Sequence, residues 1–87
     1  MKWKFDTHYS DEELQFLRQH QCEIIAELKL SKAGFLEIPR RMIRYGGAYF
    51  AEIEDEDGLC WAMLGKSRKG EFVFTSCYAD LQSIIEG

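Results

Sequence analysis

Proline, cysteine and long apolar runs are all scarce in this chain of 87 residues. The single proline, Pro39, and the lack of a Ser/Gly-rich linker argue against disordered segments and against a division into several domains. No apolar run approaches the ~20 residues that a membrane-spanning helix requires, and the first residues lack the apolar stretch of a signal peptide. We therefore expect one domain, residues 1–87, with no membrane partner.

The three cysteines, Cys22, Cys60 and Cys77, are odd in number and lack the spacing of a disulfide framework. We interpret them as reduced core or incidental thiols, which predicts a cytoplasmic protein. A structural zinc site usually needs two close pairs of ligands, and His20 with Cys22 is the only close pair. We expect no metal and no cofactor.

No arrangement typical of an enzyme is found. A Cys–His nucleophilic pair would need a third orienting group and an oxyanion site, and neither can be recognised. Gly46-Gly47 lacks the further glycines and the lysine of a phosphate-binding loop. The formal net charge of −4 and the isoelectric point near 5.1 argue against general affinity for nucleic acids. The sequence predicts a protein that is not an enzyme.

What the chain does contain is ample core material, with 46% apolar and 14% aromatic residues, and two clear helix signals. Ser10 and Glu13 have the spacing of a capping box, which predicts a helix from about Asp11 to His20. A short last helix, ending at Gly87, is expected to follow Asp80 as its N-cap. Its apolar residues recur at helical spacing: Leu81, Ile84 and Ile85.

Between the helices the apolar residues alternate with polar ones, as in half-buried strands. The predicted strands are Cys22–Leu30, Phe35–Ile38, Met42–Tyr45, Ala48–Glu54, Leu59–Leu64 and Glu71–Thr75, with a possible short strand before His8. We predict an α+β fold: an antiparallel β-meander of about five strands with an N-terminal helix and a short C-terminal helix. The order of elements resembles small SH3-like or Sm-like barrels. That likeness implies sheet closure and confers no function, and the sheet could equally stay open with the two helices packed on one face.

Two turns decide which side chains share a face of this meander. A two-residue turn at Asp57-Gly58 would pair Ile53 with Ala62. A five-residue loop, Lys66–Gly70, would place Phe72 and Phe74 on the same face as Ala62; a four-residue loop would place them beside Trp61. We prefer the longer loop, because it collects the apolar residues on one face.

The opposite face would then carry Trp61 and Met63 among Glu52 and Glu54. Either a helix covers these residues or they form an exposed recognition patch. Our leading hypothesis is a small non-catalytic protein-interaction module, such as an inhibitor, immunity-type or regulatory subunit. It would bind another protein through this sheet face, and the four residues are its predicted binding residues.

Two alternatives follow from other features. A single-stranded nucleic-acid-binding barrel would use basic residues interleaved with aromatic ones, namely Arg40, Arg41, Arg44, Tyr45 and Tyr49. A homodimer could form through an exposed edge strand.

The five carboxylates from Glu52 to Asp57 fit a solvated hairpin tip, a divalent-cation site or a mimic of a polyanion. Their spacing excludes an EF-hand. We prefer the solvated tip.

Overall fold

The computed structural model describes residues 2–29, 34–35 and 38–86. Its elements are β1 (Lys2–Lys4), α1 (Asp11–Gln19), β2 (Glu23–Ile25), β3 (Glu27–Lys29), β4 (Arg41–Tyr45), β5 (Ala48–Asp55), β6 (Gly58–Lys66), β7 (Phe72–Tyr78) and α2 (Leu81–Glu86). Five strands form an antiparallel sheet in the order β2-β4-β5-β6-β7, and β1 pairs with β3. The predicted α+β class, with a helix near each end, is confirmed.

Of the two arrangements that the sequence allowed, a closed barrel and an open sheet, the structure has the open sheet. In the described part of the chain, β2 and β7 are the two edges of the five-stranded sheet and no ladder joins them. The sequence favoured one strand from Cys22 to Leu30, but the chain bends at Ala26. After the bend, β3 pairs with β1 and not with β4. The second half of the predicted strand therefore does not extend the five-stranded sheet.

Neither described residue of the predicted strand Phe35–Ile38 belongs to a strand of the sheet. Phe35 makes only an isolated parallel bridge to Phe72, and Ile38 is 66% exposed outside any strand. Leu36 and Glu37, like Ser31–Ala33 of the predicted turn before it, lie outside the described residues. Pro39 follows at once and cannot donate a ladder hydrogen bond, which gives a physical reason why Ile38 lies outside a strand.

Helix α1 begins and ends as its sequence dictates. Ser10 Oγ accepts a hydrogen bond from Glu13 N–H at 3.2 Å, and Glu13 Oε1 accepts one from Ser10 N–H at 2.9 Å, so the capping box is confirmed. At the other end, Gln21 adopts a φ of 58°, and Cys22 N–H bonds to Leu17 O at 2.8 Å. This is a Schellman ending with glutamine at the position that glycine usually takes.

The sheet separates two cores. The helix-side core lies under α1 and α2 and contains Leu17, Ile43, Phe50, Trp61, Leu81 and Ile84. The far-side core contains Phe5, Ile25, Met42, Ala51, Ile53 and Ala62, with Leu64, Phe35 and Phe74 packed against it. Phe74 thus shares the face of Ala62, as the longer-loop prediction requires.

The hairpin register differs from the prediction while the faces do not. Asp55 pairs with Gly58, so Glu56 and Asp57 form the tip and Ile53 pairs with Cys60. Asp55 Oδ1 accepts a hydrogen bond from Asp57 N–H at 2.8 Å, which starts the turn one residue earlier than a turn centred on Asp57-Gly58 and moves the partner of Ile53 by two residues. Since the pairing moves by an even number of residues, every side chain keeps its predicted face.

Candidate functional site

The predicted binding face is covered. Trp61 is only 4% exposed and packs in the helix-side core, so the alternative in which a helix covers it is confirmed and the exposed patch around Trp61 is wrong. Glu52 is 5% exposed, Met63 is half-buried, and Glu54 is exposed. The sheet face itself is therefore closed to a partner at its centre, where α1 and α2 lie over it.

Burial of Glu52 is compensated by an ion pair with Arg41, its partner on the neighbouring strand. Arg41 Nε and Nη2 each donate to Glu52 at 2.8 Å, in the two-pronged geometry that guanidinium and carboxylate groups prefer. Arg41 Nη2 also lies 3.3 Å from Glu13 Oε2, and Nη1 donates to His8 O at 3.0 Å. We call Arg41, Glu13 and Glu52 the Arg41 cluster.

Aromatic rings and hydrogen bonds hold the charges of this cluster in place. The guanidinium carbon of Arg41 lies 4.5 Å from the centre of the Tyr9 ring and 5.5 Å from that of Trp61. Hydrogen bonds from Arg41 to Glu52 raise the pKa of Arg41 further. Burial alone would raise the pKa of Glu13, but its hydrogen bonds with Ser10 and Arg41 outweigh burial and hold it below its ordinary value.

An open cleft of about 490 Å³ lies beside the Arg41 cluster, between the start of α1, the β5–β6 ladder and the start of α2. We call it the helix-side cleft. It is lined by Glu12, Glu13, Phe16, Arg41, Glu52, Leu59, Trp61, Ala79, Asp80, Leu81 and Gln82. Four of these residues are acidic, and the one basic residue is already engaged by two of the acids. Leu59, 45% exposed, is an apolar residue on the rim.

The cleft could not be predicted from the sequence, because it depends on where two helices meet the sheet. Glu12, Leu59 and Asp80 come from three distant elements, and only the fold brings them together. One signal was present: Leu59, Trp61 and Met63 are apolar on the alternate positions that the meander assigned to a polar face.

The residues of the nucleic-acid hypothesis do not share one surface. Arg41 is buried in its cluster, with 14% of its side chain exposed. Tyr45 packs against the helix-side core and Tyr49 against the far-side core. Arg44 is exposed and lies over the Tyr49 ring at 5.9 Å, while Arg40 is exposed near the chain's bend before β4. Two of the five residues, Arg40 and Arg44, are thus exposed cations. The two tyrosines lie on opposite sides of the sheet and do not form one surface on which bases could stack.

A second cluster lies on the far side of the sheet, at the end of the β5–β6 hairpin. Asp55, Cys60 and Cys77 bring one carboxylate oxygen and two sulfur atoms within 4.8 Å of one another. Cys60 Sγ donates to Asp55 Oδ2 at 3.6 Å. Burial, followed by the neighbouring Cys77 and Asp55, raises the pKa of the Cys60 thiol to about 12. The sequence spacing does not indicate this cluster, because its members meet only through strand pairing.

Comparison of the chain with protein-family models, with curated proteins and with solved structures found no match. Neither helix of the described residues has the length and apolar content needed to cross a membrane.

Proposed function

We propose that this protein is a small non-catalytic protein-interaction module that binds a basic segment of another protein in the helix-side cleft. An inhibitor, an immunity-type protein or a regulatory subunit would each fit this description. The observation that carries the proposal is the surplus of carboxylates around a cleft whose one cation is already neutralised. Two residues of the predicted sheet face, Glu52 and Trp61, line this cleft. The partner would therefore reach that face where the cleft opens beside the two helices.

Charge selects the chemistry of the occupant. Arg41 has hydrogen-bonded partners for all three guanidinium nitrogens, so it has little capacity left for an incoming acid. Glu12 and Asp80 are exposed on the walls of the cleft. Each exposed carboxylate attracts a cation only weakly in water, and the attraction grows where a bound segment excludes water. A lysine or arginine side chain is the group that such walls favour.

The apolar lining selects a segment of protein over a simple cation. Phe16 and Leu81 line the cleft, and Leu59 stands on its rim with nearly half of its surface exposed. An apolar centre with a polar rim is the usual anatomy of a protein–protein interface. We infer that the bound segment carries an apolar side chain next to its basic one.

The lining also supports a non-catalytic role. It includes no histidine, cysteine, serine, threonine, tyrosine or lysine, and two of its carboxylates are bonded to Arg41. Nucleophiles of these types are thus missing from the cleft, and Glu12 and Asp80 are the lining carboxylates that are not bonded to Arg41. The three free thiols are in keeping with the predicted cytoplasmic location, where such groups stay reduced.

A peptide titration followed by NMR tests the proposal. An isotope-labelled protein is titrated with a short peptide of alternating lysine and leucine, and in parallel with the same peptide carrying glutamate in place of lysine. We expect the basic peptide alone to bind, to shift the amide signals of Glu12, Leu59 and Asp80, and to weaken with added salt.

Matched variants make this test specific. Leu59→Ser combined with Glu12→Gln should weaken binding at least about tenfold, because both an anchor and a charge are lost. Glu56→Gln, an exposed acid at the hairpin tip, is the control and should leave binding unchanged. Equal binding of the acidic peptide, or signal shifts away from the cleft, would contradict the proposal.

The two alternatives have their own measurements. Single-stranded oligonucleotides that bind at low salt, where phosphate contacts are strongest, would support the nucleic-acid hypothesis. Sedimentation at micromolar concentration would detect a homodimer formed through an edge strand, β2 or β7.

A further inference from the structure

We propose that Asp55, Cys60 and Cys77 form a binding site for one thiophilic divalent cation of the zinc class. This site is separate from the helix-side cleft, because it lies on the other face of the sheet. It would add a metal-dependent property to the protein, and it does not depend on the function proposed for the cleft.

Strand pairing brings the three ligands together. Asp55 ends β5, Cys60 lies near the start of β6, and Cys77 lies near the end of β7. The register pairs Ile53 with Cys60 and Ala62 with Cys77, which places both thiols on the face of the far-side core. A carboxylate oxygen and two sulfur atoms consequently lie within 4.8 Å of one another.

The carboxylate of Asp55 is held in a useful orientation. Its Oδ1 accepts a hydrogen bond from Asp57 N–H at 2.8 Å, within the turn of the hairpin. Its Oδ2 is therefore directed to the thiol of Cys60, 3.6 Å away. Backbone hydrogen bonds of this kind orient metal ligands and strengthen binding. A carboxylate that served only as a solvated charge at the hairpin tip would not need to lie next to a thiol.

The donor set selects the metal class. Sulfur ligands favour zinc and its soft relatives over magnesium and calcium, which take oxygen ligands. Ligands about 2.3 Å from a tetrahedral ion lie about 4 Å from one another, so only a small closure of the cluster is required. A carboxylate and two thiolates fill three of four tetrahedral positions.

The surroundings supply both access and charge. An open hollow of about 860 Å³ is lined by Asp55 and Cys77 together with Glu54 and Glu56. The two further acids add negative charge near the ion, and the hollow admits water to the fourth position. On binding, each thiol releases its proton to solvent and each sulfur donates a lone pair to the ion, so no oxidant is needed.

Titration of the reduced, full-length chain with Co²⁺ tests the proposal. Cobalt bound by thiolates has strong charge-transfer absorption in the near ultraviolet, which oxygen ligands do not produce. We expect this absorption to saturate at one ion per chain and to disappear when Zn²⁺ is added, since zinc displaces cobalt from sulfur-rich sites. Zn²⁺ should also raise the midpoint of thermal unfolding of the protein.

Three variants identify the ligands, and the third cysteine provides a control. Cys60→Ser and Cys77→Ser should each weaken cobalt binding at least about 100-fold, and Asp55→Asn at least about tenfold. Cys22→Ser should bind like the original protein, because Cys22 packs in the helix-side core. Circular dichroism establishes that each variant is folded before it is titrated.

Three outcomes would overturn the metal site. They are the absence of charge-transfer absorption in the folded, reduced protein, an equal loss of binding in Cys22→Ser, and unchanged binding in the two other cysteine variants. Mass spectrometry of air-oxidised protein adds a further distinction. A Cys60–Cys77 disulfide formed without any cobalt absorption in the reduced protein would assign the two thiols to redox chemistry and not to metal binding.

Discussion

The two faces of the sheet are built from the same strands but stabilised in different ways. The helix-side core encloses a buried guanidinium with two carboxylates under α1 and α2. The far-side core is apolar and aromatic, with Phe35 edge-on to Trp3 at 5.5 Å and stacked on Phe74 at 6.2 Å. Since Arg41 contacts both Glu13 of α1 and Glu52 of β5, we infer that charge fixes how α1 lies on one face, while ring packing organises the other.

Removing the guanidinium should produce the largest effect. Arg41→Ala leaves Glu52, 5% exposed, without its partner, so we expect the free energy of unfolding to fall by about 3–5 kcal/mol. Urea denaturation measures the loss. The double variant Arg41→Met with Glu52→Leu should recover most of it, because no buried charge remains. A loss below about 1 kcal/mol in Arg41→Ala would show that the cluster is not a structural element of this face.

Two neighbouring residues of β4 compare the apolar packing of the faces directly. Met42, 0% exposed, belongs to the far-side core, and Ile43, 1% exposed, belongs to the helix-side core. Truncation of either to alanine should cost about 2–5 kcal/mol by urea denaturation. Met42→Leu should cost less than about 1.5 kcal/mol, because it keeps the volume. A small loss in only one truncation would show that its core is loosely packed.

The division into faces could be predicted from the sequence because it depends on alternation alone. Met42 and Ile43, or Trp61 and Ala62, are adjacent in the chain and must point to opposite sides of the sheet. The capping box at Ser10 was equally local, and the structure confirms it. The predicted hairpin turn was one residue too late, but the assignment of side chains to faces stayed correct. The strand pairing changed by two residues, so each face kept its residues.

The two candidate sites could not be predicted, because both depend on distant segments. The cleft requires the starts of α1 and α2 to meet near Leu59, and no local pattern determines that approach. Cys60 and Cys77 meet only when β6 pairs with β7, and a register irregularity between Ala62 and Leu64 sets their final offset. The bend at Ala26 was missed for the same reason: alternation continues through it in sequence while the chain changes sheets.

Acid should loosen the helix side before the far side. The pKa of Glu13 is lowered in the folded protein, so its stabilisation is fully present above the ordinary value of 4.5 and is lost as pH falls through the lower folded value. Each core contains one tryptophan, Trp61 on the helix side and Trp3 on the far side. Fluorescence of the variants Trp3→Phe and Trp61→Phe thus reports each core separately during acid titration.

We expect the Trp61 signal to change first as pH decreases. Glu13→Gln serves as the control: it lacks the titrating group, so the difference between the two tryptophans should become smaller. A Trp3 signal that changes at the higher pH would reverse the proposed order.

The smallest expected effect concerns Tyr9, whose ring stacks on Arg41. Its hydroxyl is buried without a hydrogen-bond partner in the described part of the chain, and burial raises the pKa of this phenol. Tyr9→Phe removes the unpaired hydroxyl and keeps the ring 4.5 Å from the guanidinium, so the free energy of unfolding should rise by about 1 kcal/mol or less. Tyr9→Leu, which loses the ring as well, should be less stable than the original protein in the same thermal unfolding series. If Tyr9→Phe is less stable instead, the hydroxyl has a hydrogen-bond partner such as bound water. The helix-side core would then contain a further polar contact besides those of the Arg41 cluster.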